Sequence, residues 1–300
     1  MQILSRAVTL GKFDGIHIGH TKLIDATVEI SEKYNLKSTA YIINNNHTQT
    51  ITDKDDKNNL LQYLGIDEVI CHNLDDGIKE MMPEEFVKSI LAEKLNALWV
   101  VVGENFRFGK DRCADAQNLK ALCKKYNIET LIIDTVYSDF ESSVPVSSTL
   151  IRDLILNGDM ESVCGYLGRP YAIKGIVKDG KHLGRKLGFP TVNVEPENDV
   201  LLPQNGVYAT VITVDGKTYQ SITNVGKNPT TDNLNRSRTE THIFNESIDC
   251  YGKYVTIQFL KFIRREKHFA NEKELAYNVS NDKKKVIEYF KKREDDSSGF

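Results

Sequence analysis

The segment GKFDGIHIGH at residues 11–20 combines residue types that suit the binding of a phosphate. Its glycines would let the backbone approach an anion, and the helix predicted after it would present free N–H groups and positive potential. His17 and His20 could both donate hydrogen bonds to a pentavalent phosphorus. Either histidine alone would more often be a capped or exposed residue, so the prediction rests on their spacing. The other candidate contact residues are Gly11, Phe13, Asp14, Gly15 and Gly19.

A second polar helix start, SSTLIR at residues 147–152, offers groups of the same kind. Arg152, one turn into the predicted helix, could grip a phosphate. The alternative is an ordinary serine N-cap followed by a surface arginine. The candidate phosphate contacts at this helix start are Ser147, Ser148 and Thr149.

Between these two motifs, GENFRFG at residues 103–109 follows the predicted strand LWVVV. Open α/β folds bind their ligands at the carboxyl ends of such strands. Phe106 and Phe108 could flank a flat ring, or they could be two core side chains beneath a loop. Arg107 is a weaker candidate for a phosphate contact.

The segment GRKLGFPTVN at residues 184–193 suggests a metal-dependent site in the second half of the chain. Pro190 enforces an extended backbone, on which Thr191 and Asn193 share a face. Their oxygens could converge on one magnesium ion and the phosphates that it carries, although Thr and Asn near a proline are often only turn formers. The candidate residues for the nucleotide here are Gly184, Arg185, Lys186, Gly188, Pro190, Thr191 and Asn193.

The first half of the chain alternates β-rich runs with amphipathic stretches, which predicts a parallel sheet covered by helices. One helix should carry Leu23, Ala26, Ile30 and Tyr34, spaced three and four residues apart, along its apolar face. Another should begin at Pro83 and carry Phe86 and Ile90. The predicted strands are AVTL (7–10), STAYII (38–43), DEVIC (67–71), LWVVV (98–102) and TLIIDTV (130–136).

The second half changes to alternating strands, with VYATVITV and TYQSITNV on either side of an Asp215-Gly216 turn, which predicts a small antiparallel barrel. Two short helices, with Gly158 as C-cap and Asp159 as N-cap, should precede it. A last helix near residues 272–290 should present Leu275, Val279, Val286 and Phe290 to the barrel. Further strands are expected at YAIKGIVK, THIF and YVTIQFLKFI. The predicted domain limits are 1–158, 159–168 and 169–292.

The composition fits this organisation, since 300 residues with 40% hydrophobic side chains can fill two cores. A net charge of −3 gives no general basic surface, so nucleic acid is not expected as a partner. The opening MQILSRAVTLGKFDG matches neither a secretory signal nor a membrane span, so we expect a cytoplasmic protein without membrane contact. Five scattered cysteines indicate free thiols. Nothing in the sequence indicates an oligomeric state.

The string HxGH after a glycine-rich strand exit is shared by nucleotidyltransferases and class I aminoacyl-tRNA synthetases, which both handle the α-phosphate of ATP. The chain has no segment like the lysine-rich KMSKS loop of the synthetases and no anticodon-binding region. The nucleotidyltransferase interpretation is therefore favoured.

Taken in order, GKFDGIHIGH, GENFRFG, SSTLIR, GRKLGFPTVN, LLPQNGVYA and ETHIF make the chain resemble the bacterial bifunctional riboflavin kinase/FMN adenylyltransferase family. The resemblance covers nearly the whole chain. It implies a first domain that transfers AMP from ATP to FMN, giving FAD and pyrophosphate. It also implies a second domain that phosphorylates riboflavin, giving FMN and ADP. Both reactions should require Mg²⁺.

The family also implies roles for individual residues. Glu240, in RTETHIF, would be the base that accepts the proton of the ribityl 5′-hydroxyl. The catalytic set would be Glu240, His17, His20 and Arg152, and the metal would lie at Thr191 and Asn193. The expected flavin contacts are Asn105, Phe106, Arg107, Phe108 and His242. The alternative for His242 is that it only orients Glu240.

One segment departs from the family. The second strand of relatives is usually followed by an FDPHP-like turn, whereas this chain reads YIINNNHTQT at residues 41–50, with both prolines missing. His47 has no certain counterpart there. Three alternatives therefore remain: a riboflavin kinase with an inactive adenylyltransferase domain, a non-catalytic flavin-binding regulator, and an HxGH domain that activates another phosphorylated acceptor.

Overall fold

The computed structural model describes residues 4–44, 49–73, 76–137, 144–178, 189–196, 200–227, 237–244, 246 and 248–297. Its contacts divide the chain into two units, Met1–Ser148 and Thr149–Phe300, which are treated separately below. The domain limits expected from the sequence stay a prediction.

A parallel sheet of five strands forms the first unit, in the order β3-β2-β1-β4-β7. The strands are β1 (Arg6–Gly11), β2 (Lys37–Asn44), β3 (Glu68–Asn73), β4 (Ala97–Gly103) and β7 (Glu129–Ile133). The parallel α/β prediction is confirmed. From β1 the chain adds β2 and β3 on one side and then β4 and β7 on the other, so the strand order reverses between the neighbours β1 and β4. The crevice at the carboxyl ends of two such strands is where sheets of this kind bind ligands.

β7 is shorter than predicted. It ends at Ile133, because the chain beyond it turns towards β4: the backbone N–H of Glu104 donates to the Ile133 carbonyl at 3.0 Å, and the N–H of Thr135 donates to the Glu104 carboxylate at 3.1 Å. This turn places polar side chains at the carboxyl edge of the sheet.

The helices of the first unit cover the faces of the sheet. They are α1 (Ile18–Tyr34), α2 (Lys54–Tyr63), α3 (Asp76–Lys79), α4 (Pro83–Glu85), which continues as a π-helix (Phe86–Lys94), and α5 (Ala116–Lys125). A small hairpin of β5 (Arg107–Phe108) and β6 (Ala114–Asp115) encloses a 3₁₀ turn (Lys110–Arg112). Pro83 occupies the first helical turn, and Phe86 and Ile90 are buried, both as predicted.

The buried face of α1 differs from the predicted one. It contains Leu23, Ile24, Thr27 and Ser31, whereas Tyr34 is 47% exposed and stacks on Trp99 at 5.4 Å. The two hydroxyls can be buried because they donate to carbonyls of their own helix, each at 2.7 Å. A hydrophobic pattern does not reveal such self-satisfied polar residues.

The second unit is a closed antiparallel barrel in the order β10-β11-β12-β9-β8-β13. The strands are β8 (Tyr171–Lys178), β9 (Val192–Pro196), β10 (Gly206–Val214), β11 (Lys217–Lys227), β12 (Ser237–Ile243) and β13 (Tyr254–Arg265). The predicted barrel is confirmed. Asp215 and Gly216, with φ of 49° and 77°, form the tight turn predicted between β10 and β11.

Two helices precede the barrel and one packs on its outer face. They are α6 (Ser148–Asn157), α7 (Met160–Leu167) and α8 (Glu272–Ser297). Gly158 follows α6 with φ of 78°, and the Asp159 carboxylate caps α7 by accepting the N–H of Ser162 at 3.1 Å. Val286 and Phe290 of α8 are buried as predicted, while Leu275 and Val279 are only partly covered.

None of the helices in the described ranges is both long and apolar enough to cross a membrane.

Candidate functional site

The turn between β1 and α1, residues 11–17, is called the phosphate turn below. Phe13, Gly15 and Ile16 have φ of 49°, 84° and 41°, so the backbone is left-handed at two residues that are not glycine. Such conformations cost about 1–3 kcal/mol each and persist only where the surroundings impose them. Phe13 and Ile16 are 0% and 1% exposed, and their packing holds the turn in this shape.

The two histidines of the phosphate turn are stacked. His17 caps α1, with its Nδ1 accepting the backbone N–H of His20 at 3.3 Å, and the two rings lie 3.7 Å apart at 15°. In neutral His17 the proton must therefore reside on Nε2, which leaves this nitrogen as a donor. A Cβ on Gly19 would approach the His17 ring to 3.2 Å, so the glycine permits the stacking.

Burial, above all, lowers the pKa of His20 well below its usual value, and the nearby His17 and Lys57 add to the effect. His20 is therefore neutral at neutral pH. Its Nδ1 is buried and has no hydrogen-bond partner among the described residues. A ligand oxygen or proton donor could fill that role.

Asp14 ties the phosphate turn to two other segments. Its carboxylate accepts the N–H of Ile51 at 2.9 Å, and its main-chain carbonyl accepts the Ser148 hydroxyl at 2.8 Å. The structure thus brings the start of the SSTLIR motif to the phosphate turn. Because the Asp14 carboxylate is 6% exposed and bonded within the protein, it supports the shape of the turn; its contact with a nucleotide stays a prediction.

The SSTLIR motif begins a helix, as predicted. Ser147 precedes α6, Thr149 is exposed in its first turn, and Arg152 is half-buried one turn later. Their roles stay predictions.

The two phenylalanines of GENFRFG do not form a slot. Their rings stack on each other with centroids 5.7 Å apart at 19°, whereas a ring between them would require about 7 Å. Phe108 is 6% exposed and packs on Phe86 in the core, so it takes the core role that was the alternative. Phe106 is half-buried and remains the flavin candidate of the pair.

Two polar residues at this segment, Glu104 and Thr135, were not predicted as site residues. Asn105 donates through Nδ2 to the hydroxyl of Thr135 at 3.0 Å, and that hydroxyl also bonds the Glu104 carboxylate. Arg107 is exposed and donates to the Phe106 carbonyl at 3.0 Å. Thr135 gave no sequence signal, because it was placed inside a predicted strand.

In the barrel, β9 and β12 pair so that Asn193 lies directly opposite Glu240. Directly opposed residues of antiparallel strands share a face, with Cβ atoms about 4.5–5.5 Å apart. On the other side of β12, Asn224 of β11 is also opposite Glu240. Glu240 is exposed, and its neighbours Thr239 and Thr241 are fully buried, so the carboxylate lies on the outer face of the barrel. No motif in the sequence pointed to Asn224.

His242 lies on the same face of β12 as Glu240. Its Nδ1 donates to the Pro190 carbonyl at 2.8 Å, and its ring meets Phe189 edge-on at 5.8 Å. Lys283 of α8 places its Nζ 3.4 Å from Nε2. Burial lowers the pKa of His242, the bond to Pro190 opposes this, and the charge of Lys283 adds to it. A neutral His242 therefore anchors the segment that leads into Thr191.

Several predicted residues lie outside the described ranges, and the structure says nothing of them. They are His47 with the rest of the departing turn at 45–48, and Gly184, Arg185, Lys186 and Gly188.

Thr191 and Asn193 offer neutral oxygens, which suit magnesium. Within the described ranges, no group of three or more His, Cys, Asp or Glu side chains could hold a metal ion. Binding of magnesium at Thr191 and Asn193 stays a prediction.

The first unit carries the stacked His17 and His20 next to the end of β1, and the second unit places the Glu240 carboxylate opposite the Asn193 amide. Groups of these kinds act on phosphates, so the class of protein is a two-unit transferase of phosphorus-containing groups. The FAD synthetase family matches residues 2–150, and the Riboflavin kinase family matches residues 167–290. The chain is 32% identical over 295 residues to the bifunctional riboflavin kinase/FMN adenylyltransferase of Buchnera aphidicola subsp. Schizaphis graminum, covering 95% of this chain and 94% of that one. The chain therefore belongs to the family of bifunctional riboflavin kinase/FMN adenylyltransferases.

Two further comparisons agree over nearly the full length. The Bacillus subtilis protein of the same name is 31% identical over 301 residues, covering 94% of this chain and 92% of the relative. A solved structure described as a macrolide-efflux protein from Streptococcus pneumoniae superposes with a TM-score of 0.85 at 26% identity, covering 94% of each chain.

Proposed function

We propose that the second unit phosphorylates riboflavin to FMN and that the first unit adenylylates FMN to FAD. The order of the two family matches supports both activities. The observation that carries the proposal is the placement of Glu240 directly opposite Asn193, because a proton acceptor and a phosphate-side ligand then share one face.

In the kinase reaction, the ribityl 5′-oxygen attacks the γ-phosphorus of ATP and the bond to the β-phosphate oxygen breaks, releasing ADP. Glu240 accepts the proton of the attacking hydroxyl. Asn193 and Thr191 hold the phosphates and would ligate Mg²⁺, which supplies charge neutralisation when it is bound. His242 positions the segment that carries Thr191, through the Pro190 carbonyl.

In the adenylylation reaction, a phosphate oxygen of FMN attacks the α-phosphorus of ATP, and pyrophosphate leaves. Nε2 of His17 and the ring of His20 would donate hydrogen bonds to the oxygens on which negative charge accumulates. Ser147, just before α6, and Thr149 and Arg152 within it stay predicted phosphate contacts, while Ser148 holds the phosphate turn. Asn105, Phe106 and Arg107 would lie near the flavin.

The proposed substrates and products are riboflavin, FMN, FAD, ATP, ADP and pyrophosphate, which suit a cytoplasmic enzyme. Macrolide efflux, which the description of the Streptococcus pneumoniae structure names, is not proposed for this chain, because the residues described above suit phosphate chemistry.

The test supplies purified protein with riboflavin, ATP and magnesium and resolves the flavins by chromatography over time. FMN should appear first and FAD after it. A parallel reaction with FMN and ATP alone should release pyrophosphate and FAD together. Accumulation of FMN without FAD would instead support the kinase-only alternative suggested by the missing prolines at 44–47. Riboflavin binding without ADP would support the non-catalytic one.

A further inference from the structure

Lys57 is a buried cation in the first unit that none of the predicted sites includes. It lies on α2 and is 6% exposed, on the same face as the buried Leu61. Burying a lysine is costly unless its ammonium has partners. A lysine four residues before Leu61, on the apolar face of the helix, is a signal that the sequence itself carries.

The partners of Lys57 belong to the phosphate turn. Its Nζ donates to the Lys12 carbonyl at 3.4 Å. Burial lowers the pKa of Lys57, while the negative charge of Asp14, with smaller effects from Cys71 and Asp53, opposes that change. The lysine charge in turn contributes to the lowered pKa of His20.

Asp14 creates an electrostatic problem that Lys57 can solve. Its carboxylate is 6% exposed and fixed by the N–H of Ile51, within a turn whose proposed ligand is a triphosphate. A buried carboxylate repels an anionic ligand brought close to it. A buried ammonium near it offsets the repulsion.

We propose that Lys57 is a positioning residue for ATP in the first unit: its ammonium holds the phosphate turn through the Lys12 carbonyl and offsets the Asp14 carboxylate, so that the turn accepts a triphosphate. The inference rests on the proposed adenylylation of FMN by this unit.

The test compares Lys57→Met with wild type in the full-length protein, with FMN and ATP as substrates. The KM for ATP should rise about tenfold or more, because the positive charge that opposes the Asp14 carboxylate is removed. The KM for FMN and the rate of riboflavin phosphorylation should stay within about twofold of wild type. Lys54→Met is the matched control, since Lys54 is an exposed lysine of the same helix, and it should change none of these quantities. Loss of folded protein alone would lower the apparent kcat and leave the KM for ATP unchanged.

Two further variants separate charge from structure. Lys57→Gln keeps a hydrogen-bond donor for the Lys12 carbonyl but has no charge, and it should show the same rise in KM; it decides the question if the methionine variant does not fold. Adding Asp14→Asn to Lys57→Met removes both charges and should lower the KM for ATP again.

A KM for ATP within about twofold of wild type in Lys57→Met or in Lys57→Gln would overturn the proposal, as would a double variant with no lower KM than Lys57→Met. A wild-type protein that forms no FAD from FMN would instead contradict the proposed function of the unit.

Discussion

At the scale of single residues, Glu240 is the side chain whose loss should affect the kinase most. Glu240→Gln keeps the size of the side chain but cannot accept a proton, so kcat for FMN formation should fall about 10²- to 10⁴-fold. The KM values for riboflavin and ATP should change little. Steady-state kinetics with FMN detection measure both.

Glu246→Gln is the control for this experiment, because Glu246 is an exposed carboxylate a few residues further along the chain. It should leave kcat unchanged. Full kcat in Glu240→Gln, under conditions where chemistry limits the rate, would remove the glutamate from the role of base.

His20 should make the stability of the first unit depend on pH. Folding lowers its pKa below the ordinary 6.5, so the unfolded chain binds more protons than the folded one just below that value. The neutral, buried His20 therefore contributes its full share to the stability of the folded unit above pH 6.5. This contribution is lost as the pH falls below that value towards the lower pKa of the folded state. The free energy of unfolding should therefore be lower at about pH 5.5 than at about pH 7.5, and His20→Asn should reduce the difference.

Trp99, the one tryptophan of the sequence, lies on β4 and reports on this unit when urea unfolding is followed by fluorescence. The exposed His268 provides the control, and His268→Asn should leave the pH dependence unchanged. If the free energy of unfolding depended on pH equally in wild type and in His20→Asn, this would contradict the burial of a neutral imidazole.

At the scale of elements, a chain of hydroxyls inside the barrel joins the strands behind the site. Thr223 of β11 bonds Thr210 of β10 and Thr241 of β12, both at 2.8 Å, and all three are fully buried. Thr241 is the neighbour of Glu240 in β12. The hydroxyls therefore hold the strand that carries the proposed base in register with its neighbours.

Thr223→Val keeps the shape of the side chain and removes the shared hydroxyl, leaving two buried polar groups with one partner fewer. The free energy of unfolding of the second unit should fall by about 1–3 kcal/mol. Urea unfolding followed by circular dichroism measures it. Thr218→Val is the control, since Thr218 is exposed on the same strand and bonds Thr213 at 3.0 Å; an equal loss in this control would argue against the network.

Local signals in the sequence predicted most of these elements. Alternation and apolar runs gave the five parallel strands and the barrel hairpin, and glycine and aspartate gave the caps at Gly158 and Asp159. The predicted apolar face of α1 agrees with the structure at Leu23 but missed Thr27 and Ser31. These two residues can be buried because their hydroxyls donate to carbonyls of the same helix. Phe108 is a core residue because of the neighbouring Phe86, which no local pattern reveals.

Which residues lie opposite each other on neighbouring strands could not be predicted from the sequence. The residue types at Glu240 and Asn193 could be chosen from motifs, but their direct opposition depends on how the barrel closes. Asn224 was missed for the same reason, since Glu240 lies opposite it on another strand. Lys57 could have been noticed from its spacing to Leu61, but its contact with the Lys12 carbonyl depends on the fold.

At the scale of the whole molecule, both activities should share one dependence on divalent metal. Phosphoryl transfer relies on charge neutralisation and alignment more than on covalent help from the protein. Excess EDTA should stop FMN and FAD formation together, and added magnesium should restore both. Far-UV circular dichroism with and without EDTA checks that chelation does not unfold the protein. Metal-independent turnover of either reaction would contradict the shared mechanism.

The alternation of side chains along β12 restricts how the second unit can vary during evolution. Glu240 faces outward between the buried Thr239 and Thr241. Inserting or deleting one residue in this strand would exchange inward and outward positions, sending a carboxylate into the barrel and a threonine to the reaction centre. Homologues of different length should therefore gain or lose residues in the connections between strands, while β9 and β12 keep their lengths.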